Sequence, residues 1–366
     1  MAEHHQATMD NLFLPTIFVI FLSSLSSVLV VNYYAKPSTI TRKLAVITTG
    51  LYLLSAIAFI LQVKTSWMLD FLHQIDLVSK PVLWQRLLED FILAHKLTID
   101  TTENYWITSQ LLLFTLSFVV FVNMYSTSME LQFYQILGYM ALGLTGSYGG
   151  VLALFLVHFY YASSRSPLMA KLTTAQLFTQ VVSTFLGCAA VLYLYNASVL
   201  QVRTTLLPLV VTAFLLPFVP ILFQGQERRS GMRISLLYFL IFLGIFMALH
   251  HVYMTLMVAL EWLMFRALLM VAFDYPYQFS ISVDLICCIV ITSIYVLLEL
   301  NELKLEFKHP YYYTVIYKLL VPFFGIIATT FVISPGAMLL FVLAYREKAA
   351  SPSRNNRDFT SGGENQ

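Results

Sequence analysis

Residues 234–262 read ISLLYFLIFLGIFMALHHVYMTLMVALEW, with no Asp, Glu, Lys or Arg before Glu261. At 1.5 Å per helical residue, roughly 20 apolar residues cross a hydrocarbon core of about 30 Å. A soluble helix of this length would carry a charged face opposite its apolar one, and this stretch carries none. Similar stretches recur at Leu12–Tyr34, Leu44–Val63, Tyr105–Ser126, Leu131–Tyr161, Leu177–Tyr195, Leu206–Phe223 and Phe279–Leu300. A last one, Tyr317–Tyr345, is interrupted by Ser334-Pro335-Gly336. It is long for one crossing and short for two. A tilted or kinked single helix is the first choice there, because proline removes an internal hydrogen bond and clashes with the preceding turn. The alternative is a re-entrant hairpin, which needs protein or water around its freed backbone groups. The expected fold is all-α: a polytopic transmembrane helical bundle over residues 1–347 with about nine spans, eight and ten being the neighbouring counts.

Composition points the same way. Hydrophobic residues make up 59% and charged ones 11% of the chain, where soluble proteins carry about 25% charged. No soluble domain is left over, and no nucleic-acid partner is expected. The largest excursion is residues 64–104. After Pro81, Trp84, Leu87, Leu88, Phe91 and His95 share one helical face, opposite Gln85, Arg86, Glu89 and Asp90. This pattern predicts an amphipathic helix, lying in the membrane interface or capping the bundle, and in either position a lid. The polar residues 348–366 read as a disordered tail. The N-terminus carries Glu3 and Asp10 rather than a basic region, so the first apolar run reads as a retained span and not a cleaved signal.

Sidedness is contradictory in this reading. Lys36, Arg42 and Lys43 argue that the first loop is cytoplasmic. Strict alternation then puts Arg228, Arg229 and Arg233 on the opposite side, against the same rule. One cluster breaks the rule, or a span between them is miscounted. The sequon Asn196-Ala197-Ser198 sits in a very short loop and is expected to be unused.

Ionisable groups inside spans cost about 2.5–3.5 kcal/mol each even on the lenient insertion scale, so each asks for a role. Asp284 lies more than a turn inside Phe279–Leu300, on a face shared with Ser280, Cys287, Cys288, Ile291 and Tyr295. Glu261 ends the preceding span on the same membrane side. Two carboxylates meeting there would share one proton, leaving one of them an acid; the plainer alternative is that Glu261 snorkels beside Trp262 while Asp284 bonds a hydroxyl. His250 and His251 occupy mid-span. His250 shares a face with Met254, Met257 and Glu261, and it serves either as a proton acceptor or as an interhelical hydrogen-bonding group. The adjacent histidines have the wrong spacing for a metal pair. Cys188, Cys287 and Cys288 form no disulfide framework, and neither metal nor cofactor is expected. Gly146 and Gly150 have the small-xxx-small spacing of close helix packing. No internal repeat is visible, and no matched pair of broken helices marks a transporter.

The motifs of nucleotide motors, zincins and serine hydrolases are absent, as is any paired-aspartate motif for magnesium-diphosphate chemistry. The layout of spans, and the closing Ser334-Pro335-Gly336-Ala337 followed by Tyr345-Arg346-Glu347, resemble the fungal membrane-bound meroterpenoid terpene cyclases of the ascofuranone and macrophorin type. That resemblance implies metal-independent, proton-initiated cyclisation of a prenyl or epoxy-prenyl chain, in the endoplasmic reticulum membrane. Asp284, tuned by Glu261, would then deliver the proton and His250 take the last one. Trp84, Met254, Met257 and Tyr295 would line the chamber, and aromatic rings would stabilise carbocations. The rival expectations are a proton-coupled small-molecule transporter and a seven-helix-like receptor.

Overall fold

The computed structural model describes residues 13–65, 102–165, 168, 170, 172–194, 207–222, 233–259, 276–302 and 312–349. Among them every regular element is a helix. These are α1 (Phe13–Ala35), α2 (Arg42–Thr65), α3 (Thr102–Ser126), α4 (Phe133–Thr145), α5 (Tyr148–Arg165) and α6 (Thr174–Leu194). There follow α7 (Leu207–Leu215), a 3-10 turn, α8 (Val219–Leu222), α9 (Arg233–Ala259), α10 (Pro276–Glu302), α11 (Tyr312–Ile333) and α12 (Pro335–Ala349). The predicted lid at Trp84 and the tail beyond Ala349 lie outside the described residues.

Five of these helices are long and apolar enough to cross a membrane, or six with the bent pair α11–α12 counted as one. Nine spans are not seen among the described residues. Leu131–Tyr161 is two helices, α4 and α5, parted at Gly146 and Ser147. Leu206–Phe223 is α7 and α8 on either side of a 3-10 turn containing Pro217. Tyr317–Tyr345 is no kinked rod, since the chain turns through 114° at Ser334.

Helix α3 is the axis. Its stretch Asn104–Ser126 has no charged residue and is 89% buried, against 33% for the apolar stretch of α2. An uncharged helix with small polar groups can sit in the centre if those groups find partners on its neighbours. Tyr105 donates to the Val191 carbonyl at 2.8 Å and Asn123 to Gln180 Oε1 at 2.8 Å. The outer helices turn apolar side chains outward instead, such as Phe185, Phe242 and Leu249 at 75%, 71% and 64% exposure. Lipid accepts such a surface, and water does not over a continuous area.

Contacts along α3 give each helix a direction. The end where α3 starts is termed proximal and the end where it finishes distal. Helix α5 runs with α3, since Phe155 meets Phe118 and Phe159 meets Tyr125. Helix α10 runs with α5, from Asp284 beside Gly149 to Glu299 beside Tyr160. Helix α9 runs against α3, from Met247 at Ser117 to Thr255 at Trp106. Helices α4 and α5 form a hairpin: the Tyr139 ring packs 5.3 Å from that of Phe155, and its hydroxyl lies 3.2 Å from His158 Nδ1. Leu131–Tyr161 thus enters the bundle from the distal end and returns to it.

This hairpin removes the conflict between the basic clusters. Arg165, at the distal end of α5, donates to the carbonyls of Tyr34 and Lys36 at 3.1 Å each. Arg233 begins α9 at that same end. With one crossing fewer between them, Lys36 and Arg233 share a side.

Candidate functional site

Two helix breaks and one ion pair gather the polar chemistry of the described residues. The first break is the tip of the α4–α5 hairpin. Ser147 caps α5, its Oγ accepting from the Gly150 N–H at 3.0 Å. Asp284 covers the same helix end from α10. It accepts from Ser147 Oγ at 2.5 Å, from the Tyr148 N–H at 3.0 Å and from the Gly149 N–H at 3.1 Å. The first N–H groups of a helix have no partner within it, and the helix dipole favours negative charge there. A carboxylate aimed at them satisfies both demands. Gly149 lets α10 come this close, since a Cβ on it would stand 2.6 Å from Cys287 Cβ.

The second break has the same local sequence. Ser147-Tyr148-Gly149 is matched by Ser334-Pro335-Gly336. Ser334 closes α11 by donating its N–H to the Thr330 carbonyl, and it opens α12 by accepting from the Met338 N–H, both at 3.0 Å. Its φ of 99° is a left-handed conformation that a residue with a Cβ adopts at a cost of about 1–3 kcal/mol. Gly336 again permits close approach, as a Cβ there would lie 2.9 Å from Ser117 Oγ and 3.2 Å from the Leu113 carbonyl oxygen. The two tips are level. Gly336 faces Leu113–Ser117, and the Tyr148 hydroxyl bonds Thr115 in the same stretch of α3. The two breaks share a Ser-Xaa-Gly tripeptide, one at the hairpin turn between α4 and α5 and the other at the 114° bend between α11 and α12.

The third feature lies at the distal end, where α5, α10 and α12 finish. Arg346 pairs with Glu299 at 2.6 Å and sits 4.5 Å over the Phe159 ring. Glu347 Oε1 accepts from the Tyr125 hydroxyl at 2.8 Å and the Ala170 N–H at 3.1 Å. Tyr160 donates to Glu299 at 3.3 Å. Stacked on Phe121 in the same region is Tyr295, fully buried.

The residues singled out from sequence fall unevenly among these features. Asp284 belongs to the first break, where it accepts from one hydroxyl and two backbone N–H groups. Tyr295 belongs to the distal cluster. His250 packs its ring edge-on to Tyr105. It is the neighbouring His251 that touches a break, with Nε2 2.8 Å from the Phe331 carbonyl oxygen and its ring beside Trp106. Met254 is buried in the small cluster with Tyr105 and Trp106. Met257 is 44% exposed on the outer face, away from any chamber inside the bundle. Glu261 and Trp84 lie outside the described residues. Glu299 was missed, although it falls inside the predicted span Phe279–Leu300 and the rule that picked out Asp284 applies to it equally. No group of three or more His, Cys, Asp or Glu side chains fit to hold a metal ion occurs among the described residues.

Comparison with protein-family models, with curated proteins and with solved structures gives no match for this chain.

Proposed function

We propose that the chain is a membrane transporter for a small solute, with the solute path at the level of the two helix breaks. The observation that carries this reading is the matched pair: two helix ends of like sequence, reaching the same level inside the bundle from hairpins or bends. Backbone that leaves the helical path within a membrane is tolerated where it is buried in protein or lines a water-filled cavity, and discontinuous helices of this kind form the substrate sites of many transporters. Each tip presents a helix N-terminus, a hydroxyl and a glycine that admits a close neighbour. The α11–α12 bend is the natural moving part. It turns on the single residue Ser334, and its far end is fastened to α10 through Arg346 and Glu299. Breaking and remaking that pair would accompany motion of α12. The distal end, with Lys36, Arg42, Lys43, Arg165, Arg233 and Lys348, is cytoplasmic by the excess of basic residues.

Labelling tests the reading without knowledge of the solute. In a background with Cys188, Cys287 and Cys288 replaced by Ala, Ser334→Cys should react with small membrane-impermeant thiol reagents applied to either side of sealed vesicles. Access should differ between the two sides as conditions shift the equilibrium. A thiol at 334 sealed from both sides under every ionic and pH condition would sink the transporter.

A terpene cyclase is the second reading, favoured by one observation. The rings of Phe121, Tyr125, Phe159 and Tyr295 surround the ends of α3, α5 and α10 beside Glu299 and Glu347. In this reading one of those two carboxyl groups, rather than Asp284, starts the reaction. Microsomes supplied with farnesylated phenols and their epoxides would then form cyclised product, and Glu299→Gln or Glu347→Gln would abolish it.

A further inference from the structure

The first break shows, inside this protein, what the second one lacks. At α5 the helix N-terminus and its capping serine are covered by the carboxylate of Asp284. At α12 no side-chain carboxylate among the described residues does the same. Ser334 Oγ is fully buried and has no hydrogen-bond partner. Pro335 has no N–H to offer, so the first donors of α12 are the N–H groups of Gly336 and Ala337. A second buried group independently marks the place. Gln110 is 1% exposed, and neither its amide nitrogen nor its amide oxygen has a partner. It lies one turn before Leu113 and Phe114, the residues that face Gly336, and so on the same face of α3. Because α12 and α3 run in the same direction, this sets the Gln110 amide just beyond the open end of α12. Trp106, a further turn along that face, packs against His251 and Phe331. A buried amide with both ends unsatisfied costs free energy that a ligand can recover.

We infer that the N-terminus of α12 is the binding site for a small monocarboxylic acid. Its carboxylate would take the place at α12 that Asp284 takes at α5, accepting from Ser334 Oγ, the Gly336 and Ala337 N–H groups and the Gln110 amide. Its apolar body would lie toward Trp106 and Phe331. The inference deepens the transporter reading by naming its solute class, but binding and transport fail separately and can be measured separately.

The test uses benzoate as probe and benzamide as its neutral isostere, with chloride as a general anion control. Thermal unfolding of the detergent-purified full chain should rise with benzoate and with neither control, as mass action requires for a ligand bound only to the folded state. Ser334→Ala and Gln110→Leu should each weaken the apparent affinity by about tenfold or more, the worth of a hydrogen bond to a charged group. As an internal reference, Asp284→Ala uncovers the α5 end, and acetate should restore part of its lost thermal stability. Equal stabilisation by benzoate in wild type, Ser334→Ala and Gln110→Leu would overturn the site. No stabilisation of wild type by benzoate would overturn it too, leaving a buried water at the α12 end. Benzoate binding that these variants weaken, without uptake into proteoliposomes, would uphold the site and count against transport.

Discussion

Arg346 on α12 and Glu299 on α10 meet at 2.6 Å, although 47 residues separate them along the chain. Their burial is unequal: the Glu299 side chain is 5% exposed and that of Arg346 18%. Glu299 is therefore the more deeply placed member of the pair. Arg346 also lies over the Phe159 ring of α5, so one side chain ties together three helix ends.

That asymmetry predicts the order of a mutant cycle. Leaving one member of a buried pair alone costs about 3–5 kcal/mol, whereas replacing both with apolar groups is often near neutral. Arg346→Met strands the deeper charge and should lower the unfolding temperature most. Glu299→Leu should lower it less, and the double variant should recover much of the loss. Thermal unfolding in detergent checks this; losses that simply add would show that the pair is not coupled.

Asp284→Asn tests the helix-end role of that carboxylate. Asparagine keeps one acceptor oxygen but turns an amide N–H₂ toward a backbone N–H that Asp284 Oδ2 or Oδ1 now accepts from. One donor is left buried and unpaired, a loss of about 1–3 kcal/mol. Asp284→Ala removes every acceptor and should cost more. Were both variants as heat-stable as wild type, Asp284 would not be holding the α5 end.

How much of this was legible in the sequence differs from element to element. Helical character and the apolar exterior were readable because they depend on local composition, and 234–262 alone declares them. The α4–α5 hairpin was not, because Leu131–Tyr161 stays apolar through its turn. What stabilises the turn is Asp284, 137 residues from Ser147 in the chain. The break at Ser334 was visible in Ser334-Pro335-Gly336, but its angle of 114° depends on Gly336 packing against Leu113 and Ser117. Asp284 was picked out for its charge, and of the two roles read for it the bond to a hydroxyl is met by Ser147, while its backbone N–H partners are ones that no side-chain pattern reveals. Gln110 was passed over because one polar residue of α3 looks like another until its facing helix is known.

Glycine substitutions separate close packing from mere flexibility. A Cβ at Gly149 would stand 2.9 Å from the Cys287 carbonyl carbon and 3.0 Å from the Cys288 backbone nitrogen, atoms that cannot step aside. Gly149→Ala should therefore push α5 off α10, break the Asp284 contacts and yield little folded protein. Gly50 on α2 has nothing within 4 Å of the same position. There alanine should be neutral or stabilising, by up to about 1 kcal/mol, because it stiffens the unfolded chain and favours helix. Folded yield by size-exclusion chromatography distinguishes the two, and comparable yields would show that α5 and α10 can be held further apart.

The last prediction concerns the α4–α5 hairpin, because its direction decides the topology. If Leu131–Tyr161 crossed as a single span, five crossings would separate Lys36 from Arg229, and the two would face opposite compartments. As a hairpin returning to its own end it contributes none, and the start of α9 at Arg233 then lies at the same end of the bundle as Lys36. In a cysteine-free background, Ser38→Cys, Arg229→Cys and Ser351→Cys should be labelled from one side of sealed vesicles by an impermeant maleimide. Gln85→Cys and Ala197→Cys should be labelled from the other. The excess of basic residues makes the first group cytoplasmic. Opposite labelling of positions 38 and 229 would restore the continuous span. Asp284 could not then cap α5 from within the same bundle, and the pairing of the two helix breaks would fall with it.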